Sequence, residues 1–428
     1  MSTFESENHR EQPTSVAGRP ASLSKPESHR SSFDLTLRHG LHWRCHSSSL
    51  AHFKIQQRTI RRWNGLSLVE VMVGVTVGLI LMTGVIQIFI GNKQTYRFHE
   101  ALSRIQENGR FALEMLTNNI RMTDFSGCSS TNTVINVLNP NTAGAWAWNG
   151  ADWWKNFGST GAAVGDQFLS LVGYDGDQPF PVTGTNTTAR FIASGGDRIS
   201  GTDAIISLGG RGGYFITATA PAASPPSFTL TTRTRPIGTT LGVSDFVIVC
   251  DTTWTSIFQV STVNTNQINY SADNSTNPGN AVTNLGTNYG INATMVDYVP
   301  TAFYVGTSVS GTTRSLYQIQ IAGNSIIPME IVEGVEDMQI LYGIDTGTDN
   351  IIDQYVTATN VANWARVLSV RIHILLSSLN EDNLVKQSQT YIFPNDADGV
   401  TAGRINTPTD RRIYQVFSTT IGIRNRLP

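Results

Sequence analysis

"GLSLVEVMVGVTVGLILMTGVIQIFI", Gly65 to Ile90, decides the fold. After the glycine come 25 residues whose single charge is Glu70. As a helix rising about 1.5 Å per residue they reach about 37 Å, enough to cross the hydrocarbon core of a bilayer. Arg58, Arg61 and Arg62 stand before the run, and Gly91, Asn92, Lys93 and Gln94 follow it. The positive-inside tendency therefore keeps the N-terminus in the cytoplasm and sends the rest of the chain across. Further on, Phe98, Leu102, Ile105, Gly109, Ala112, Leu116 and Asn119 recur at alternating steps of four and three, an amphipathic stripe. No proline lies between Pro26 and Pro140. The pattern predicts one helix from about Leu66 to Met122, apolar all round over 66–90 and one-sided over 91–123. The first half is a membrane anchor and the second half the spine of a globular head, 124–428.

Glu70 is the costly residue of the run. A carboxylate deep in hydrocarbon costs on the order of 2.5–3.5 kcal/mol on insertion scales, and the segment holds no base to pair with it. Either it sits at the cytoplasmic interface and snorkels, or cleavage at Gly65 frees an α-amine on Leu66 and the amine of a neighbouring copy becomes its partner. Gly74 and Gly78 form a GxxxG pattern, which reads as a dimerisation face or as small residues that let helices crowd in a bundle.

The chain has 428 residues and a net charge of -2, but that figure hides a split. Residues 1–65 carry ten Lys/Arg against five Asp/Glu, which leaves 20 against 27 for the rest. A mildly acidic body argues against nucleic acid as a partner, since phosphate binding needs clustered basic residues. The first twenty residues have the Ser, Pro, Glu and His content of a disordered leader.

Beyond Cys128 the composition shifts to Thr, Asn, Gly and Ser with short β-branched runs such as "DFVIVC", "SLYQIQIAG", "DMQILYGI", "RVLSVRIHILLSS" and "RIYQVFSTTIGIR". The fold class is α+β: a long helix packed on an antiparallel, β-rich head, as one elaborated domain or two joined lobes. In "VRIHILLSS", Val370, Ile372, Ile374 and Leu376 alternate with Arg371 and His373, so His373 points away from the core face. His99 is the only other histidine after the leader, which leaves no Ser/His/Asp or Cys/His set and no zinc cluster. "GGRGG" lacks the Lys-Ser/Thr of a phosphate loop and reads as a hairpin tip.

The segments "GLSLVEVMVGVTVGLIL", "QTYRFHEALSRIQENGRFALEMLTNNIRMTDFSGC", "DMQILYGIDT", "WARVLSVRIHILL" and "VFSTTIGIRNRLP" together resemble the PilW family of type IV pilus minor pilins, with a class III prepilin signal. The resemblance implies that a prepilin peptidase cuts between Gly65 and Leu66, removing residues 1–65, and methylates the new amine of Leu66. It implies that Glu70 sets register against a neighbouring subunit during assembly. The implied partners are other minor and major pilins, the inner-membrane assembly platform, and membrane lipid through 66–90. The implied outputs are motility, adhesion or DNA uptake, with no enzymatic activity. A J-type pseudopilin of type II secretion shares this plan. A signal-anchored adhesive protein is the reading from another class, with Trp146, Trp148, Trp153 and Trp154 stacking on sugars or packing a loop.

With the head outside the cytoplasm, Cys128 and Cys250 are expected to pair, two buried thiols being the alternative. Asp345, Asp349 and Asp353 fall at positions one, five and nine of a calcium-type loop. Gly347 stands at position three and Val356 at twelve, where a bidentate acid belongs. Calcium and a solvated turn both remain open for this stretch.

Overall fold

The computed structural model describes residues 65–128, 133–139, 170–176, 178, 198–223, 225–235, 238–272, 279–322, 325–347, 349–379, 385, 387–393 and 404–427. The four tryptophans 146, 148, 153 and 154 lie outside them. By compactness the chain divides between Val71 and Met72.

Helix α1 runs Leu68–Arg121 without a break. Its apolar first half is exposed throughout, and it is long and apolar enough to cross a membrane. In its second half the stripe is the buried face: Ile105, Gly109, Ala112, Leu116 and Asn119 are buried, joined by Ile120.

The strands in chain order are β1 (Thr133–Asn136), β2 (Leu171–Tyr174), β3 (Ala204–Ser207), β4 (Gly210–Ala220), β5 (Ser227–Leu230), β6 (Phe246–Cys250) and β7 (Trp254–Gln259). Next come β8 (Thr262–Asn264), β9 (Gln267–Asn269), β10 (Thr294–Tyr298), β11 (Thr301–Thr307), β12 (Arg314–Ala322) and β13 (Ser325–Glu333). The last are β14 (Val335–Ile344), β15 (Gln354–Val356), β16 (Val367–Ser377), β17 (Tyr391–Phe393), β18 (Arg404–Asn406) and β19 (Tyr414–Gly422). They form an eight-stranded sheet ordered β1-β7-β6-β10-β4-β5-β9-β8 and a five-stranded sheet ordered β13-β12-β11-β3-β2. A four-stranded sheet ordered β15-β14-β16-β19 and the ribbon β17-β18 complete the set. Neighbouring strands are antiparallel except β1 and β7, which pair in parallel.

The four-stranded sheet carries the helix. Met338, Ile340 and Tyr342 of β14, Val370, Ile372 and Ile374 of β16, and Ile421 of β19 join Ile105, Ala112, Leu116 and Ile120 in one core. Phe303, Val305 and Leu316 extend that core into the five-stranded sheet. Each such aliphatic side chain taken fully from water contributes roughly 1.5–3 kcal/mol. A closer contact fixes helix against strand at Gly109, where an added Cβ would lie 2.5 Å from the Phe417 ring. The five- and four-stranded sheets are also stitched by Asp203. Its N–H donates to the Met338 carbonyl at 2.8 Å, and its carboxylate accepts from the Ile340 N–H at 2.7 Å.

Two further cores serve the eight-stranded sheet. One face packs Ile248, Ile257 and Val296 against Ala204, Ile206, Tyr304 and Ile319 of the five-stranded sheet. The other face gathers Tyr214, Phe228, Phe258, Tyr270 and Met295. That is why "DFVIVC" reads as a continuous apolar run: β6 is buried on both sides.

Candidate functional site

The first feature is the start of α1. Gly65, Leu66 and Ser67 precede the helix. Nothing lies within 4 Å of a Cβ added at Gly65, and Leu66 is 72% exposed. Ser67 is the N-cap: its carbonyl accepts from the Val71 N–H at 3.2 Å, and its hydroxyl accepts from the Glu70 N–H at 3.2 Å. Glu70 therefore occupies the first turn, at the positive end of the helix dipole. Ser67 precedes Glu70 by three, the spacing of a capping box, so its role could have been read from sequence.

Within the span the hydroxyls are satisfied by the helix itself. Thr76 donates to the Val73 carbonyl at 2.9 Å and Thr83 to the Leu79 carbonyl at 2.8 Å, the arrangement a segment placed in lipid would need. Only Glu70 and Gln87 are left among its polar side chains. Gly74 and Gly78 both face open space.

The second feature is the far end of α1, where all three sheets converge. Met122 N–H bonds the Asn119 carbonyl and Thr123 N–H bonds the Ile120 carbonyl, tightening the last turn. Asp124 then takes a left-handed conformation at φ 68°, an option open to Asp because its short side chain tolerates it. From the five-stranded sheet, Ser207 Oγ donates to the Asn119 carbonyl at 3.3 Å and shares a 2.7 Å bond with Thr123 Oγ1. From the eight-stranded sheet, Gly210 N–H donates to the Phe125 carbonyl at 2.7 Å, and Arg211 donates to Asn119 Oδ1. From the chain beyond β19, Asn425 Nδ2 donates to the Thr123 carbonyl at 2.8 Å.

Arg426 completes this joint. Its side chain is 5% exposed and pairs with the Asp124 carboxylate at 3.0 Å. It also donates to the Ser170 hydroxyl at 2.5 Å and to the carbonyls of Trp364 and Val367 at 2.5 and 3.0 Å. A guanidinium supplies five donors in a fixed fork, which suits a site needing several acceptors met at once. Its charge also complements the negative end of the helix.

The Gly-Gly step before Arg211 is a correction to the hairpin-tip reading of "GGRGG". There the chain leaves β3 in one sheet and enters β4 in another, passing under the helix end. A Cβ at Gly209 would lie 2.4 Å from the Met122 carbonyl oxygen, and one at Gly210 would lie 2.6 Å from Val296 Cγ2. Only glycine admits so close a backbone approach.

Cys128 and Cys250 are joined by a disulfide with Cα atoms 5.9 Å apart, tying the residues after α1 to β6. It spans a separation of 122 residues. The chain-entropy model assigns about 5 kcal/mol to a loop of that size.

Each aspartate of "DTGTDNIIDQY" accepts hydrogen bonds from its own loop. Asp353 accepts from the Thr346 N–H at 2.7 Å and its hydroxyl at 2.6 Å. Asp345 accepts from the Asn350 N–H at 3.2 Å, and Asp349 from the Ile351 N–H at 3.1 Å. Arg366 stands 3.9 Å from Asp345 and donates to the Gly347 carbonyl, so a guanidinium supplies positive charge here. Among the described residues no three acidic, histidine or cysteine side chains are grouped to hold a metal. His373, on the far face of β16 from the helix, bonds Ser418 at 2.6 Å. Burial first, and then the Arg371 charge, lower its pKa.

Residues 302–425 match the PilW family, type IV pilus-assembly protein W. No curated protein and no solved structure matches the chain. The PilW match supports a protein related to type IV pilus assembly. It covers less than a third of the chain, from β11 through β19 to Asn425, and so includes the whole sheet that carries α1. The PilW-type region begins after the eight-stranded sheet, whose strands all come from residues before 302.

Proposed function

We propose that the chain is a minor pilin of a type IV pilus. One observation carries this reading: the PilW-type sheet holds a helix whose part up to Ile90 is exposed, apolar and marked by a single acid in the first turn. Such a helix is stored in the inner membrane with the leader in the cytoplasm and the head in the periplasm. A prepilin peptidase cuts between Gly65 and Leu66, and the new amine of Leu66 accepts a methyl group from a sulfonium donor with loss of a proton. The helix then moves from lipid into a bundle with other pilins, where Glu70 meets a neighbouring amine and sets register. The work is packing and register, helping to initiate assembly, and the head's disulfide suits an oxidising compartment.

The test is Glu70→Ala in cells deleted for the chromosomal copy. The variant is expected to be processed and held in the membrane but absent from sheared surface fibres, with fibre number reduced. Normal incorporation of Glu70→Ala into fibres overturns the register role. Loss of secreted enzymes with intact pili on deletion moves the assignment to a J-type pseudopilin.

A further inference from the structure

The start of α1 is capped by the Ser67 hydroxyl, and it lies two residues past the bond proposed to be cut. Ser67 is not helical, its carbonyl accepts the first helical bond from Val71, and its hydroxyl takes the Glu70 N–H. The pair fits the S-x-x-E capping box, in which the acid three residues on reaches back toward the cap's own amide. Serine, asparagine and aspartate head the order of cap residues, and alanine falls far below. Upstream of the cap the backbone is open: Leu66 is 72% exposed and Gly65 has free space around its Cα. A peptide bond drawn into a helix has its carbonyl bonded to an amide four residues on, out of reach of a nucleophile.

We propose that Ser67 is a positioning device for processing. The cap halts the helix at Leu68 and leaves the Gly65–Leu66 bond outside it. This rests on the reading of that bond as the processing site. In the cut, water adds to the Gly65 carbonyl carbon and the bond to the Leu66 nitrogen breaks. Gly65 leaves as a carboxylate and the Leu66 nitrogen takes both protons of the water, becoming an ammonium.

The test follows the full-length chain in membranes with its prepilin peptidase by pulse-chase, comparing wild type with Ser67→Ala, Ser67→Asn and Glu70→Gln. Ser67→Ala is expected to be processed about fivefold more slowly, the equivalent of a cap worth about 1 kcal/mol. Ser67→Asn restores the wild-type rate because asparagine caps as well as serine. Glu70→Gln also keeps it, because the Ser67 hydroxyl takes the backbone N–H of position 70. The Cys128–Cys250 bond, read on a non-reducing gel, reports that the head is intact in every variant. Wild-type processing of Ser67→Ala overturns the proposal, and so does a Ser67→Asn chain as slow as Ser67→Ala, which would mean the peptidase reads serine itself. A wild-type chain left uncut removes the processing reading and this inference together, an outcome distinct from the other two.

Discussion

Replacing Arg426 by alanine removes the residue that ties the C-terminal segment to the end of α1. In the wild-type chain its guanidinium meets the Asp124 carboxylate, the Ser170 hydroxyl and two backbone carbonyls while only 5% exposed. Asp124 is itself 14% exposed, so the variant strands a largely buried carboxylate. Removing one member of a buried pair costs about 3–5 kcal/mol. The carbonyls of Trp364 and Val367 lose a donor as well, and partial access of water to Asp124 offsets part of the loss. A net destabilisation of about 3 kcal/mol is expected. Asp124→Asn removes the charge without backbone strain, because asparagine also accepts the left-handed conformation of that position. The double variant should therefore cost less than the sum of the two, with a coupling of about 1–3 kcal/mol. Urea unfolding of the detergent-solubilised chain measures this, and tryptophan fluorescence is suited to it because the Trp364 ring packs edge-on against Tyr342 at 4.8 Å. An Arg426→Ala chain within about 0.5 kcal/mol of wild type would refute the reasoning, since that is the range of surface substitutions.

Gly109→Ala tests the contact between helix and sheet through its sign. Alanine normally stabilises a helix interior by about 1 kcal/mol over glycine, but here its Cβ meets the Phe417 ring. Urea unfolding should show a net loss of about 1 kcal/mol or more, reversed when Phe417→Leu opens the space. His373 gives a pH dependence. Its folded pKa lies below the ordinary value of 6.5, so its neutral form is favoured by folding. The associated stability is fully present above pH 6.5 and is lost as pH falls through the folded pKa. His373→Gln should flatten the fall of unfolding free energy between pH 7 and 5.

The helix was legible because its signals are local. The apolar run needs only length, and the four-three stripe from Phe98 to Asn119 is the face that meets the sheets. Strand periodicity in "VRIHILLSS" likewise placed Ile372 inside and His373 outside. What could not be read is what depends on distant partners. Arg426 and Asp124 are separated by 302 residues, and nothing near either names the other. Arg366 reaches the loop of the aspartates at 345, 349 and 353 from outside it. "GGRGG" looked like a turn because glycine marks both tight turns and close backbone approaches, and the obstacle here is the end of a helix almost ninety residues earlier. Ser67 differs from these cases, since its partner is three residues away and the spacing was in plain view.

The central claim is that this chain is processed and assembled as a pilin, and the N-terminal mass and sequence of the membrane-extracted protein test it most directly. The protein is isolated from cells with and without prepilin peptidase. A methylated Leu66 terminus that appears only with the peptidase is the predicted result. A terminus upstream of Gly65 in both strains would contradict it and make the chain a permanently anchored protein.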